Sequence, residues 1–327
     1  MSTPGNPAMD RLRALHKTMP RDVAAQAAPP KPAAKRTDFA TLPHLKQVMV
    51  ARGAGNLLGL ADPFFRRVEA IDGVKVRING TWVTNFAAYD YLSLNRDPRL
   101  LDAVTKAVAE FGVSSMASRL VGGERDLHLA LETALARFVG TEDALVTVSG
   151  HATNQGIIRT LMGPGDIVLV DALAHNSVFE GIRSSGAAHY TFAHNDLDQL
   201  AGWLETSRDT YERVLIVVEG LYSMDGDLPD LAGLIALKER HEAWLMVDEA
   251  HALGVLGATG RGSAEQAGID ISKIDIIMGT LSKTLCSCGG YVAGTRQMVD
   301  NLRYAAPGFV YSVGLSIPNA AASLAAL

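Results

Sequence analysis

The sequence predicts an α/β fold, a mostly parallel central sheet with helices on both faces. Three observations carry this. Short β-branched, apolar runs recur at 144–148, 167–170, 214–218, 243–247 and 274–278. Helical segments separate them, at 152–161, around Gln199 and at 231–241, and apolar residues spaced by three and four mark helices ahead of them at 100–111 and 127–139. The 327 residues, 48% of them apolar, suffice for one large α/β domain with appended segments, or for two domains. Strands spaced by helices form βαβ units, whose sheets are mostly parallel and covered on both sides. Ligands in such sheets bind beyond the carboxyl ends of the strands.

The elements follow in order. Residues 1–37 are rich in Ala and Pro, with few large apolar side chains, and are expected to form a flexible arm. Residues 38–95 are read as a separate N-terminal segment. A helix is expected at 39–51, then a hairpin at 65–83 turning at Asp72-Gly73 and Asn79-Gly80. Helices at 100–111 and 127–139 open the large domain, read as 96–310. Residues 311–327 are expected to begin a C-terminal domain that is missing or truncated.

Bulk properties exclude several classes. The net charge of −5 offers nucleic acid or anionic lipid no broad attraction. No run of about 18 apolar residues suggests a membrane span, and the N-terminus lacks the apolar core of a secretory signal. A cytoplasmic protein is expected. Two cysteines, Cys286 and Cys288, cannot build a disulfide framework, and their C-x-C spacing is read as small residues packing near Lys283.

Chemistry concentrates at the strand ends. Ser149-Gly150-His151 opens the helix after the first run, and free N–H groups there, beside a glycine, suit a phosphate. Asp171-Ala-Leu-Ala-His175 follows the second run, and Glu219-Gly-Leu-Tyr-Ser-Met-Asp-Gly-Asp227 the third. Asp248-Glu-Ala-His251 follows the fourth, and Thr280 and Lys283 the fifth. A lysine at a strand end among glycines is kept from bulk water, and desolvation favours its neutral, nucleophilic form. Amine, phosphate cradle, flat side chain and carboxylate together are what pyridoxal 5′-phosphate (PLP) requires.

On these segments the chain resembles the α-oxoamine synthase family of fold-type I PLP enzymes. Asp90-Tyr-Leu-Ser-Leu94, Ser118-Arg-Leu-Val-Gly-Gly123, His128-x-x-Leu-Glu132, Gly260-Arg-Gly262 and Gly279-Thr-Leu-Ser-Lys283 add to the likeness, which covers roughly residues 60 to 327. The resemblance implies that Lys283 holds the cofactor as an imine and that Asp248 pairs with the pyridine nitrogen. It implies that His251 bonds the phenolic oxygen and that His175 stacks on the ring. Gly150, His151 and Thr280 would bind the phosphate, with Ser223 beside the ring. Glu249, His128 and Glu132 are read as structural, and His194 and His241 as ordinary surface or core histidines.

The implied reaction is decarboxylative condensation of a small amino acid with an acyl thioester, giving an α-amino ketone, CO2 and free thiol. The acyl donor would be a coenzyme A thioester or an acyl carrier protein. The resemblance leans to 8-amino-7-oxononanoate synthase, with serine palmitoyltransferase as the alternative. A homodimer with its site at the subunit boundary is implied as well. Family members are longer and carry an arginine for the substrate carboxylate in a C-terminal lobe. Only 44 residues follow Lys283, and no arginine is assigned to that role. Competing readings are an aminotransferase, a non-catalytic partner subunit, and a nucleic-acid motor, for which the phosphate loop that Asp-Glu-Ala-His would need is absent.

Overall fold

The computed structural model describes residues 37–59 and 64–327. The predicted arm, apart from its last residue, lies outside the described residues. The chain divides into two compact units at Arg67/Val68. In the first, the Asp38 carboxylate caps a single turn, Phe39–Thr41, and α1 follows over Pro43–Leu57 with proline at its first position.

The second unit opens on an antiparallel meander of β1 (Ala70–Asp72), β2 (Lys75–Ile78) and β3 (Thr81–Thr84). Its two turns are the expected ones. Gly73 has φ +53°, and Asn79 and Gly80 have +49° and +76°, the left-handed pair of a tight hairpin turn. Then come α2 (Pro98–Phe111), α3 (Asp126–Val139), β4 (Asp143–Thr147), α4 (Gly150–Leu161), β5 (Ile167–Asp171), α5 (Asn176–Ser185), β6 (Ala188–Phe192) and α6 (Leu197–Ser207). The rest is β7 (Val214–Glu219), α7 (Leu231–Arg240), β8 (Trp244–Asp248), α8 (Ser263–Ala267), β9 (Ile276–Thr280), β10 (Gly290–Gly294), α9 (Arg296–Ala305), α10 (Pro307–Val310) and α11 (Ile317–Ala326).

Seven strands form the central sheet in the order β4-β10-β9-β8-β7-β5-β6. Six share one direction; β10 opposes both of its neighbours. The period of two divides the strands between two cores. Val214, Ile216 and Val218 face one side with Leu131, Leu135, Leu200 and Leu234 of the helices. Leu215 and Val217 face the other with Ile157, Ile158, Val178 and Leu302. Each such side chain, fully withdrawn from water, contributes roughly 1.5–3 kcal/mol before entropy is set against it. At the end of the chain, Ile317 and Ala321 of α11 pack with Ala107 of α2.

The helix expected at 39–51 is instead a single turn at Phe39–Thr41 followed by α1, which runs on to Leu57, and three strands also depart from expectation. The strand expected at 274–278 begins at Ile276, because the Asp275 carboxylate is taken by Lys238 Nζ at 2.6 Å and the Leu245 N–H at 2.7 Å. β6 is an additional edge strand whose alternating Ala-His-Tyr-Thr-Phe is only half buried. β10 is an additional interior strand, fully buried but bounded by glycines that read as a loop.

Candidate active site

The ends of β4, β5, β7, β8 and β9 lie along one edge of the sheet, because these strands run in the same direction. Beyond them is a cavity of about 240 Å³. Gly150, His151, His175, Asp248, His251, Thr280 and Lys283 all line it. Ser223 does not. It is exposed and lines an adjoining cavity with Tyr91 and Tyr222, and His251 is common to the two. The loop after β7 turns back through Tyr222 N–H to Asp227 O and carries Ser223 outward.

At the start of α4, Ser149 Oγ accepts from Ala152 N–H at 3.1 Å, which leaves the first amides of the helix facing the cavity. Glycine is required here for approach. A methyl group on Gly150 would stand 3.0 Å from Thr280 Oγ1, and one on Gly290 would stand 2.7 Å from the Gly150 Cα. Thr280 is buried, and its hydroxyl donates to Gly289 O at 3.0 Å.

Asp248 is buried at the end of β8, and each of its oxygens accepts one hydrogen bond and keeps a lone pair for another. Oδ1 accepts from Ala250 N–H at 3.0 Å and Oδ2 from Asn154 Nδ2 at 2.8 Å. Asn154 Nδ2 also donates to Ser177 Oγ at 2.9 Å, and Ser177 Oγ lies 2.7 Å from His175 Nδ1. Beside Asp248 in the parallel register is Glu219, which accepts the backbone N–H groups of His175 and Ser223. Burial, reinforced by the Asp248 charge, pushes the Glu219 carboxyl up to about 8, so it carries a proton at neutral pH.

The bases are depressed together. Burial lowers the affinity of Lys283 for its proton, against the pull of the Asp248 carboxylate. Burial, then Lys283 and His175, brings His251 down to about 4, and its Nδ1 lies 2.9 Å from the Tyr91 hydroxyl. His175 is lowered by partial burial and by Lys283 and His151, and the His151 ring meets it edge-on at 6.2 Å. The Tyr89 ring centre is 5.7 Å from Lys283 Nζ. The site thus holds an amine whose hold on its proton is weakened by burial and a histidine that stays uncharged across the physiological range.

Asn154, Ser177 and Glu219 were not among the candidates from sequence. The available signal for Asn154 was its place one helical turn after Gly150, where a polar residue enters a face otherwise carrying Ile157 and Ile158. Glu249, adjacent to Asp248 but on the opposite face of the strand, is held by Ser263 N–H and hydroxyl. His128 is buried against Leu315 O at 2.7 Å. His194 bridges two carboxylates, Asp171 at 3.0 Å and Asp227 at 2.8 Å. Cys286 donates to Asp90 Oδ1 at 3.2 Å, and the described residues contain no cluster of metal-ligand type.

A family model described as aminotransferase class I and II matches residues 81–327. The 8-amino-7-oxononanoate synthases of Geotalea daltonii and Geobacter metallireducens are each 45% identical over 261 and 262 residues, 80% of this chain and 66% of theirs. The chain therefore spans about two thirds of the length of these relatives. Among solved structures, serine palmitoyltransferase from S. paucimobilis with a bound PLP–myriocin aldimine superposes with a TM-score of 0.84 at 30% identity, covering 88% of this chain and 72% of that one. The 8-amino-7-oxononanoate synthase of Francisella tularensis gives 0.62 at 27% identity, covering 73% and 66%.

The residues present fit PLP. The cradle that a Cβ at Gly150 or Gly290 would fill adjoins the free amides of α4 and suits a phosphate. Across the same cavity are a buried carboxylate and a desolvated amine. With the family match, this identifies the chain as a member of the class I and II aminotransferase family and, within it, of the PLP-dependent α-oxoamine synthases.

Proposed function

We propose that this chain carries the chemistry of a decarboxylative C-acyltransfer, joining a small amino acid to an acyl thioester with release of CO2 and free thiol, as an 8-amino-7-oxononanoate synthase does. The observation that carries the reading is that one cavity gathers a desolvated lysine, a buried aspartate and a glycine-lined helix start. When bound, PLP supplies an electron sink that lets bonds at the carbon next to the amino group break. Lys283 Nζ would hold the cofactor's aldehyde carbon and, once freed, move the α-proton of the amino acid. Its depressed proton affinity suits both tasks, since each needs the neutral amine. Asp248 would pair with the pyridine nitrogen and keep it protonated. His251 would bond the phenolic oxygen, and His175 would lie against the ring face. The amides of Gly150 and His151 and the Thr280 hydroxyl would take the phosphate. Ser223 would be reached only through the adjoining cavity.

The 45% identity to the oxononanoate synthases of Geotalea daltonii and Geobacter metallireducens, over 80% of this chain, supports that reaction over sphingoid-base synthesis. The reading extends to a cytoplasmic homodimer, with coenzyme A or an acyl carrier protein bearing the acyl group. No helix among the described residues is long and apolar enough to cross a membrane. The test offers alanine, serine and glycine separately with a panel of acyl thioesters and identifies products by mass. CO2, thiol and an α-amino ketone are expected. A keto acid without thiol release would make the chain an aminotransferase instead.

A further inference from the structure

Asn154 and Ser177, both almost wholly buried, join the two groups that bracket the cavity, Asp248 and His175. Asn154 points one amide nitrogen at Asp248 Oδ2 and at Ser177 Oγ. The reversed amide would set its oxygen against a carboxylate oxygen, two acceptors without a hydrogen between them, so Nδ2 is the atom that faces Asp248. Both amide hydrogens are then used. Ser177 Oγ receives one of them, which leaves its own hydrogen for its other neighbour, His175 Nδ1 at 2.7 Å. The Ser177 backbone N–H, which His175 caps at the start of α5, also points at Nδ1 from 3.3 Å.

Two donors directed at one ring nitrogen leave no room for a hydrogen on it. We propose that Asn154 and Ser177 are positioning residues that hold neutral His175 as the Nε2–H tautomer, through a one-way chain running from Asn154 to His175 and anchored by Asp248. The charged and titratable groups facing the ring are Asp248, Lys283 and His151, with Glu219 accepting the His175 backbone N–H. The chain gives His175 a proton donor at Nε2, for which the described residues offer no hydrogen-bond partner. It also ties the ring's rotation to the carboxylate. The consequence for catalysis rests on the cofactor reading above; the tautomer itself does not.

The full chain without cofactor, labelled with 15N-histidine, tests this by NMR near neutral pH. His175, identified by its absence in His175→Gln, should show a protonated Nε2 and an unprotonated Nδ1. Ser177→Ala removes one donor and should shift the tautomer ratio about fivefold toward Nδ1–H, the worth of one neutral hydrogen bond. Ser177→Thr, which keeps the hydroxyl, should restore it. A wild-type His175 that is Nδ1–H, or an even mixture, overturns the inference, and that reading stands even if a variant fails to fold. PLP is then titrated into the same sample. A fixed tautomer without cofactor binding would support the hydrogen-bond chain and overturn the proposed function; binding with a mixed tautomer would do the reverse.

Discussion

Replacing Arg119 by methionine separates charge from packing in the large unit. The Arg119 side chain is 2% exposed and grips Glu132, itself 3% exposed, and Glu124, which is 41% exposed. The guanidinium also lies 5.2 Å over the Phe309 ring, and Glu132 Oε1 accepts the Val146 N–H at 2.9 Å. Without Arg119, the nearest cation to Glu132 is Arg303 at 3.7 Å, and burial favours the protonated acid. Taking up a proton at pH 7, against an ordinary value of 4.5, costs about 3.4 kcal/mol at 1.36 kcal/mol per unit. That figure caps the electrostatic loss; the lost cation–π contact with Phe309 adds about 1 kcal/mol. The sign follows: the folded variant holds a proton that the unfolded chain releases above 4.5, so the penalty grows as pH rises. Urea unfolding of Arg119→Met should show a loss of about 4 kcal/mol at pH 7 and about 1–2 kcal/mol at pH 5. Adding Glu132→Gln keeps an acceptor for Val146 and removes the charge, so the double variant should recover about 2 kcal/mol at pH 7. A loss independent of pH, or a double variant no more stable than the single, would mean that Glu132 takes up no proton when Arg119 is gone.

Lys283→Ala should abolish the borohydride-trapped adduct with PLP seen by mass spectrometry, while the fold, followed by circular dichroism, persists. Gly290→Ala forces a methyl group onto the Gly150 backbone, 2.8 Å from its nitrogen. PLP affinity by fluorescence titration should fall at least tenfold, with about 1–3 kcal/mol of stability. On the acid side, the unfolded chain protonates His251 near 6.5 and the folded chain near 4, so stability drains as pH falls through that window. His251→Gln should flatten that limb of a urea series by about 2–3 kcal/mol. On the other side, Glu219 keeps its proton to about 8 when folded and loses it near 4.5 when unfolded. Stability from this group therefore declines as pH rises across that interval, and Glu219→Gln should remove the decline.

Much of the fold was legible because its signals are local. Each of the five β-branched runs is a strand, since such runs fit only a sheet covered on both faces. β6 and β10 were not legible. The first is an edge strand whose polar alternation resembles a turn-rich connection, and the second hides between glycines, of which Gly290 packs closely on α4 and Gly294 on Met298 and the Asp275 carbonyl. The strand ends pointed to seven residues of the cavity for a topological reason: same-direction strands place their C-termini together. Asn154 and Ser177 were missed because their importance arises from pairing across 94 and 23 residues, which no spacing rule encodes. Ser223 shows the converse. A motif says which residues are present, while the path of the loop decides which cavity they enter.

The reversed direction of β10 bears on how Lys283 is held. Residues 281–289 return directly to the neighbouring strand, and the return is stitched at its base by Leu281 N–H to Gly289 O and again by Ser287 N–H to Leu281 O, both at 3.0 Å. The Lys283 amine thus rides on a short clasp fastened at either foot, with no slack to absorb a change of length. Adding one residue inside the clasp would swing the amine off its mark without touching any other strand, whereas a longer crossover would have diluted the same error along a helix.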